Sequence, residues 1–423
     1  MAAPTRLYNR DFLLLWQGQL ISKLGNQAHY IAVMFWIKHA TGSATLMGTL
    51  MMLATLPMVL LAPIAGAFAD RHSRRGIIAI ADLVSGVAVM SLVGLLFWIP
   101  DQTTTIITAL MVASVIVGTS ASFFSPAFSA AIPDLVPKEK LAAANSMNRF
   151  SDQFAGLLGM SAAGVLFKFL GAPLLFFFDG LSFIYSGISS LFAKVPMPVT
   201  TGEKAVGAKQ QIRQLLDDMK EGLRYAWSNV GLRNLMLLAA ALNFFFSPIG
   251  VLLPFLVEDH LHASTDWFGY ILGALGAGAL LGLLAVGTLK LNGGRRSFAV
   301  ISGVIVMCAL FGALGLTHTP LQALVLAFFA GMLNSFVNVS IGTIMALTTP
   351  SAIRGRVFGL LTTLSAGLMP ISMGLTGVVV DLMDKNVPLI ILLCGGIGTV
   401  LCLALSINKE FRQFLAYDAK SAT

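Results

Sequence analysis

The chain has 423 residues, of which 57% are hydrophobic and only 11% charged, with a formal net charge of +8 and a mean hydropathy of +0.84. That balance excludes a water-soluble globular protein of this length, whose surface needs far more charge, and points to a bilayer as the solvent. Apolar runs long enough to cross a membrane recur along the whole sequence, whereas buried helices of a soluble core are shorter and carry polar faces.

The first apolar run starts at Phe12, after Arg6 and Arg10, and continues toward Lys38 with one internal charge at Lys23. It lacks a short apolar core followed by a small-residue cleavage pattern, so it is expected to be a retained span. At about twenty apolar residues per crossing, spans are predicted at 12–38, 44–68, 76–99, 104–131, 140–170 and 173–195. The pattern breaks between Pro196 and Asn229, where charges from Glu203 to Arg224 alternate with Leu215, Leu216, Met219, Leu223 and Trp227 at helical spacing. This predicts a cytoplasmic central loop, 196–229, with an amphipathic helix lying on the membrane surface. Spans follow at 231–257, 266–290, 297–317, 320–347, 354–381 and 387–408, so the chain reads as an all-α membrane protein with twelve transmembrane helices. Its domains are a six-helix bundle at 1–195, the central loop, and a second six-helix bundle with a short cytoplasmic tail at 230–423.

An even number of spans puts both termini on one side. On that side, or just inside it, lie 23 of the 27 Lys and Arg residues, while Lys38, Lys168 and Lys385 lie opposite. Basic loops are retained in the cytoplasm, so both termini are expected there. The positive charge is thus a topological and lipid-facing signal, not evidence for a nucleic-acid partner. Cys308, Cys394 and Cys402 fall in predicted spans with no disulfide or metal spacing.

The two halves carry an internal repeat. A shift of 221 residues superposes Gly66 on Gly287 and the pair Arg74 and Arg75 on Arg295 and Arg296, each after the second span of its half. Gly66, Asp70, Arg71, Arg74 and Arg75 together resemble the signature loop of the major facilitator superfamily. Gln17 to Gln19 before Ser22 and Gly25, the run Thr41 to Ala44, Pro126 with Ala127, Pro133 to Pro137 before Ala144 and Asn145, and Arg354 to Val357 narrow the resemblance. They are similar to the efflux branch that includes macrolide exporters, siderophore exporters and the bacterial lysophospholipid transporter, over nearly the whole chain.

The resemblance implies the major facilitator fold in a bacterial inner membrane and an inner gate at the signature loop, with Asp70 as its principal latch and Arg354 and Arg356 as further gate residues. Charges inside spans are costly and usually functional or paired. Lys23 and Asp152 both fall about 17 Å deep at 1.5 Å per residue, so they are expected to meet, with Arg149 as an alternative partner and Asp179 in the sixth span as a further ionisable group. Either Asp152 changes protonation and couples proton entry to substrate exit, or it forms a permanent structural pair. Asp82 reads as a scaffold contact. Gln19, Lys23, Asn26 and Tyr30 make one polar stripe on the first helix. In the family, the first, fourth, seventh and tenth spans line the substrate cavity between the halves, which adds Phe124, Asn243, Asn334 and Asn338 as candidates. Ala155, Gly159, Ala163 and Gly164 echo the antiporter signature of related exporters, with Met160 where that signature has proline. Gly269 with Gly273 and Gly278 with Gly282 have the spacing of close helix crossings.

No zincin pattern, phosphate loop or nucleophile elbow occurs, so no enzyme, metal or cofactor is expected. The sequence is read as a monomeric secondary transporter, surrounded by membrane lipids, that exports small amphipathic compounds of drug or macrolide type by alternating access with protons as coupling ion. The alternatives are a lysophospholipid transporter and, in another class, a transport-inactive sensor or assembly partner.

Overall fold

Asn9 turns the chain into its first helix: its side-chain oxygen accepts the Phe12 amide at 2.9 Å, satisfying a donor that the helix start leaves free. This is α1 (Arg10–Thr41), and it stops at Gly42 with φ of 63°. Ser43 then caps α2 (Ala44–Ala69), Ser73 caps α3 (Arg74–Trp98), and α4 (Thr103–Leu135) follows. The computed structural model describes residues 6–196, 208–288 and 293–417.

The stretch predicted as the fifth and sixth spans is continuous in helix but not in direction. α5 (Leu141–Phe154) passes through a widened turn at 155–159 into α6 (Met160–Phe192), and α6 breaks at Gly171, with φ 70° and ψ 176°. Glycine tolerates that conformation, and Pro173 two residues later opens the next helical piece. After α7 (Ala208–Ser228) come α8 (Val230–Phe246) and α9 (Ile249–Phe255), which continues through a second widened turn to His260. α10 (Asp266–Thr288), α11 (Gly293–Ala313), α12 (Pro320–Thr348), α13 (Ser351–Leu382), α14 (Val387–Ile407) and the short α15 (Lys409–Leu415) complete the chain. Among the described residues there is no β-strand.

Ten helical segments among the described residues are long and apolar enough to cross a membrane. One of them, Lys138–Phe192, spans the Gly171 break and holds two membrane-length pieces. α1 is absent from the ten although its 32 residues suffice, because Gln17, Gln19, Lys23, Asn26, Gln27 and His29 lower its hydropathy. Counting both, the architecture is consistent with twelve crossings.

The chain divides into two compact units, Met1–Leu215 and Leu216–Thr423. In the first, α1 and α3 pack on α6, and α2 and α3 pack on α4. In the second, α8 and α11 pack on α14, and α10 and α11 pack on α12. The same pairings recur in the same order, which is the packing counterpart of the sequence repeat; residues 289–292 of the second repeat loop lie outside the described residues. The α10–α12 crossing is close enough to require glycine: a Cβ on Gly278 would stand 1.9 Å from the Phe328 carbonyl oxygen, and one on Gly282 2.0 Å from that of Met332. Where α11 meets α14, the buried thiols of Cys308 and Cys402 lie 4.0 Å apart, in hydrogen-bond reach and not joined as a disulfide.

The predicted amphipathic helix of the central loop is α7; residues 197–207 before it lie outside the described residues. Its apolar residues divide. Met219, Tyr225 and Ala226 pack into the core of the second unit, whereas Leu223 and Trp227 are exposed.

Candidate functional site

Three residues of the polar stripe on α1, Gln19, Lys23 and Asn26, line a cavity of about 80 Å³ inside the first unit, together with Phe124 of α4 and Asp82 of α3. The fourth, Tyr30, is half-buried. A cavity of this size with several polar walls accommodates a few water molecules. Asp82 is 3% exposed and accepts the Ser186 hydroxyl at 2.7 Å, tying α3 to α6.

Lys23 Nζ lies 2.7 Å from Asp152 Oδ1 and donates to Asn148 Oδ1 at 2.8 Å, with the face of Phe128 5.9 Å away. The ammonium thus has two acceptors one turn apart on α5. Asp152 is 53% exposed while Lys23 is only 22% exposed, so the carboxylate is the wetter end of the pair. Arg149 is exposed and forms no ion pair among the described residues; Lys23 takes the carboxylate. Asp152 also stands three residues before the widened turn at 155–159, a helix irregularity common at functional sites.

Asp179 is fully buried, and its Oδ2 lies 3.1 Å from His29 Nδ1. Among the described residues neither carboxylate oxygen receives a well-aligned hydrogen bond. Phe176 covers the imidazole with ring centres 5.1 Å apart, and a Cβ on Gly25 would come within 2.8 Å of Asp179 Oδ1. An enclosed carboxylate with one basic neighbour and no donor is rare and asks for a functional reason. His29 was not singled out from the sequence, since it stands one position off the four-residue stripe. The signal that points to it is a histidine within a span.

At the signature loop, Gly66 accepts the Asp70 amide at 3.2 Å, and Asp70 and Arg71 are exposed. Arg74 has turned to α4: it pairs with Asp134 and donates to the Ala130 carbonyl at 3.0 Å. Arg75 is half-buried. In the second unit, Arg354 donates to the Thr349 carbonyl at 3.2 Å and 3.3 Å, and Arg356 bridges Asp218 at 2.8 Å and Glu221 at 2.6 Å on α7. Sequence reasoning named Arg356 without its acidic partners, because ionic partners far apart in sequence leave no local pattern. Asn334 and Asn338 on α12 are bonded to each other at 3.0 Å, and Asn243 on α8 donates to Ala239 at 2.9 Å; all three are exposed.

Two repeated helical units, a basic signature loop and charges paired inside spans describe a transporter scaffold. A family model described as transmembrane secretion effector matches residues 2–423. The chain belongs to that family, a branch of the major facilitator superfamily. The chain is similar to macrolide efflux protein A of Streptococcus pyogenes, 24% identical over 390 residues covering 89% of this chain and 90% of that protein. It is also similar to the multidrug efflux pump Tap of Mycolicibacterium fortuitum, 25% identical over 378 residues, 87% and 89% of the two chains. Solved structures share the fold. A peptide transporter of the POT family superposes with a TM-score of 0.70 at 12% identity, covering 98% of both chains. A bacterial homologue of ferroportin superposes with a TM-score of 0.67 at 19% identity, covering 95% of this chain and 100% of that one. The chain is therefore a multi-pass membrane transporter and not an enzyme.

Proposed function

We propose that this protein exports small amphipathic compounds of drug or macrolide type by alternating access, driven by protons moving inward. The efflux relatives support the cargo class. The observation that carries the coupling is the Lys23–Asp152 pair at 2.7 Å, with Asn148 as a second acceptor on the same ammonium. Protonating Asp152 removes the counter-charge of Lys23 and leaves Asn148 as its neutral partner, which loosens the tie between α1 and α5 and biases the conformational equilibrium. Asp179, held against His29, is the second proton-carrying group of the first unit, and Arg149 stands ready to replace Lys23. The inner gate comprises Gly66, Asp70, Arg71, Arg74 and Arg75 of the first unit and Arg354 and Arg356 of the second, with Asp70, exposed at the end of α2, as its latch. Gln19, Asn26, Tyr30, Phe124, Asn243, Asn334 and Asn338 contact substrate. The transporter acts as a monomer with both termini in the cytoplasm.

The test is flux of a fluorescent dye, a macrolide and a labelled lysophospholipid in proteoliposomes under an imposed pH gradient. Flux of dye or macrolide that follows the gradient is expected, with Asp152→Asn folding normally but transporting independently of the gradient. Movement of the lysolipid alone would reassign the cargo, and movement of none would end the transport reading.

A further inference from the structure

The second unit holds a cavity of about 690 Å³ where α15 crosses the ends of α11 and α14. Its floor is apolar, formed by Ile301 and Ile305 of α11 with Phe298 at its edge, and its rim carries Lys409, Arg412 and Gln413 of α15. The geometry follows from how α15 is anchored. Phe411 and Leu415 are buried in the core of the unit, the Ser297 hydroxyl donates to the Arg412 carbonyl at 3.0 Å, and Arg296 donates to the Leu415 carbonyl at 3.4 Å and to that of Tyr417. With that face turned inward, Lys409 and Arg412, three residues apart, share the face turned to the cavity.

Both cations are exposed, and neither forms an ion pair among the described residues. The surface next to the cavity is strongly apolar: Phe298 is 75% exposed, and Ile407 at the end of α14 is 78% exposed. In a membrane transporter these side chains meet lipid, so the cavity opens where hydrocarbon gives way to headgroups. A soluble anion would have no use for the apolar floor, and an uncharged amphipathic compound no use for two unpaired cations. We infer that the cavity between α11, α14 and α15 binds an anionic phospholipid, its acyl chain against Phe298, Ile301 and Ile305 and its phosphodiester between Lys409 and Arg412. The guanidinium of Arg412 supplies a two-pronged donor to the phosphate, and Lys409 a point charge beside it. This site does not depend on which compound is transported.

The experiment is native mass spectrometry of the full-length protein in mild detergent, with thermal unfolding in parallel, after adding phosphatidylglycerol or phosphatidylcholine of matched acyl chains. One phosphatidylglycerol is expected to be retained and to raise the unfolding temperature, whereas phosphatidylcholine does neither. The double variant Lys409→Gln/Arg412→Gln should weaken retention by about thirtyfold, since each of the two cations near an anionic lipid is worth ~1 kcal/mol. Lys138→Gln/Lys140→Gln, the same charge change in the first unit, should leave it unaltered. If the first double variant does not fold, Ile301→Trp fills the floor with the cations intact and should displace the lipid. Equal retention of the two lipids, equal loss in both double variants, retention in Ile301→Trp, or competition by water-soluble glycerol phosphate at the lipid's own concentration would overturn the assignment.

Discussion

Lys23 and Asp152 show how far single residues can be read in advance. Two opposite charges at the same depth of separate spans have strong reason to meet, because each alone is expensive in hydrocarbon, and they do so at 2.7 Å. Asn148, which shares the ammonium, and Asp134, which takes Arg74, were not legible, since a neutral amide or a loop-end carboxylate has no unusual cost that would announce a partner. The His29–Asp179 contact lies between these cases: Asp179 was visible as a charge in a span, its histidine was not. Removing one member leaves the other enclosed. Asp179→Leu or His29→Leu is expected to cost about 3 to 5 kcal/mol of stability, and the double apolar variant clearly less than either. Thermal unfolding of the three purified variants checks this, and a double variant that costs the sum of the two single ones would show that the two groups do not interact.

Helices differ in how much of their behaviour is local. The close α10–α12 crossing was legible from glycine spacing, because backbone approach in a membrane needs small residues whichever partner is met. Gly282→Ala would drive a Cβ to 2.0 Å from the Met332 carbonyl, and is expected to destabilise by ~1 to 3 kcal/mol or block assembly. Gly66→Ala, where nothing lies within 4 Å inside the first unit, should be neutral or slightly stabilising, by ~1 kcal/mol at most from helix propensity. Unfolding temperature and membrane yield of the two variants separate these outcomes. α7 was legible as an amphipathic helix, but not its docking: Arg356 holds it through Asp218 and Glu221. All three are a third or more exposed, so Arg356→Ala should cost ~1 kcal/mol or less globally. The effect belongs to α7 itself, and faster hydrogen exchange over 217–228 with unchanged exchange elsewhere is the expected result. Unchanged exchange in α7 would show that Met219, Tyr225 and Ala226 hold it by packing alone.

At the scale of the whole molecule, the asymmetry of Lys and Arg makes a prediction that is independent of any contact. A C-terminal fluorescent-protein fusion should be bright and a C-terminal alkaline phosphatase fusion inactive, because 23 of 27 cations lie on the side of the termini. The reverse result would invert the topology. The span boundaries, the duplication and the broad family were set by the sequence alone: hydrocarbon thickness fixes helix length, basic loops fix sides, and a repeated motif survives as a repeated spacing. The break between the fifth and sixth spans nevertheless rests on one glycine at φ of 70°. What only the tertiary structure decided is which distant groups meet: Asn148 with Lys23, His29 with Asp179, Asp218 and Glu221 with Arg356, and the cations of α15 with the apolar residues of α11. These depend on the rotation of each helix about its axis, which packing against its neighbours determines and which no local pattern of residues encodes.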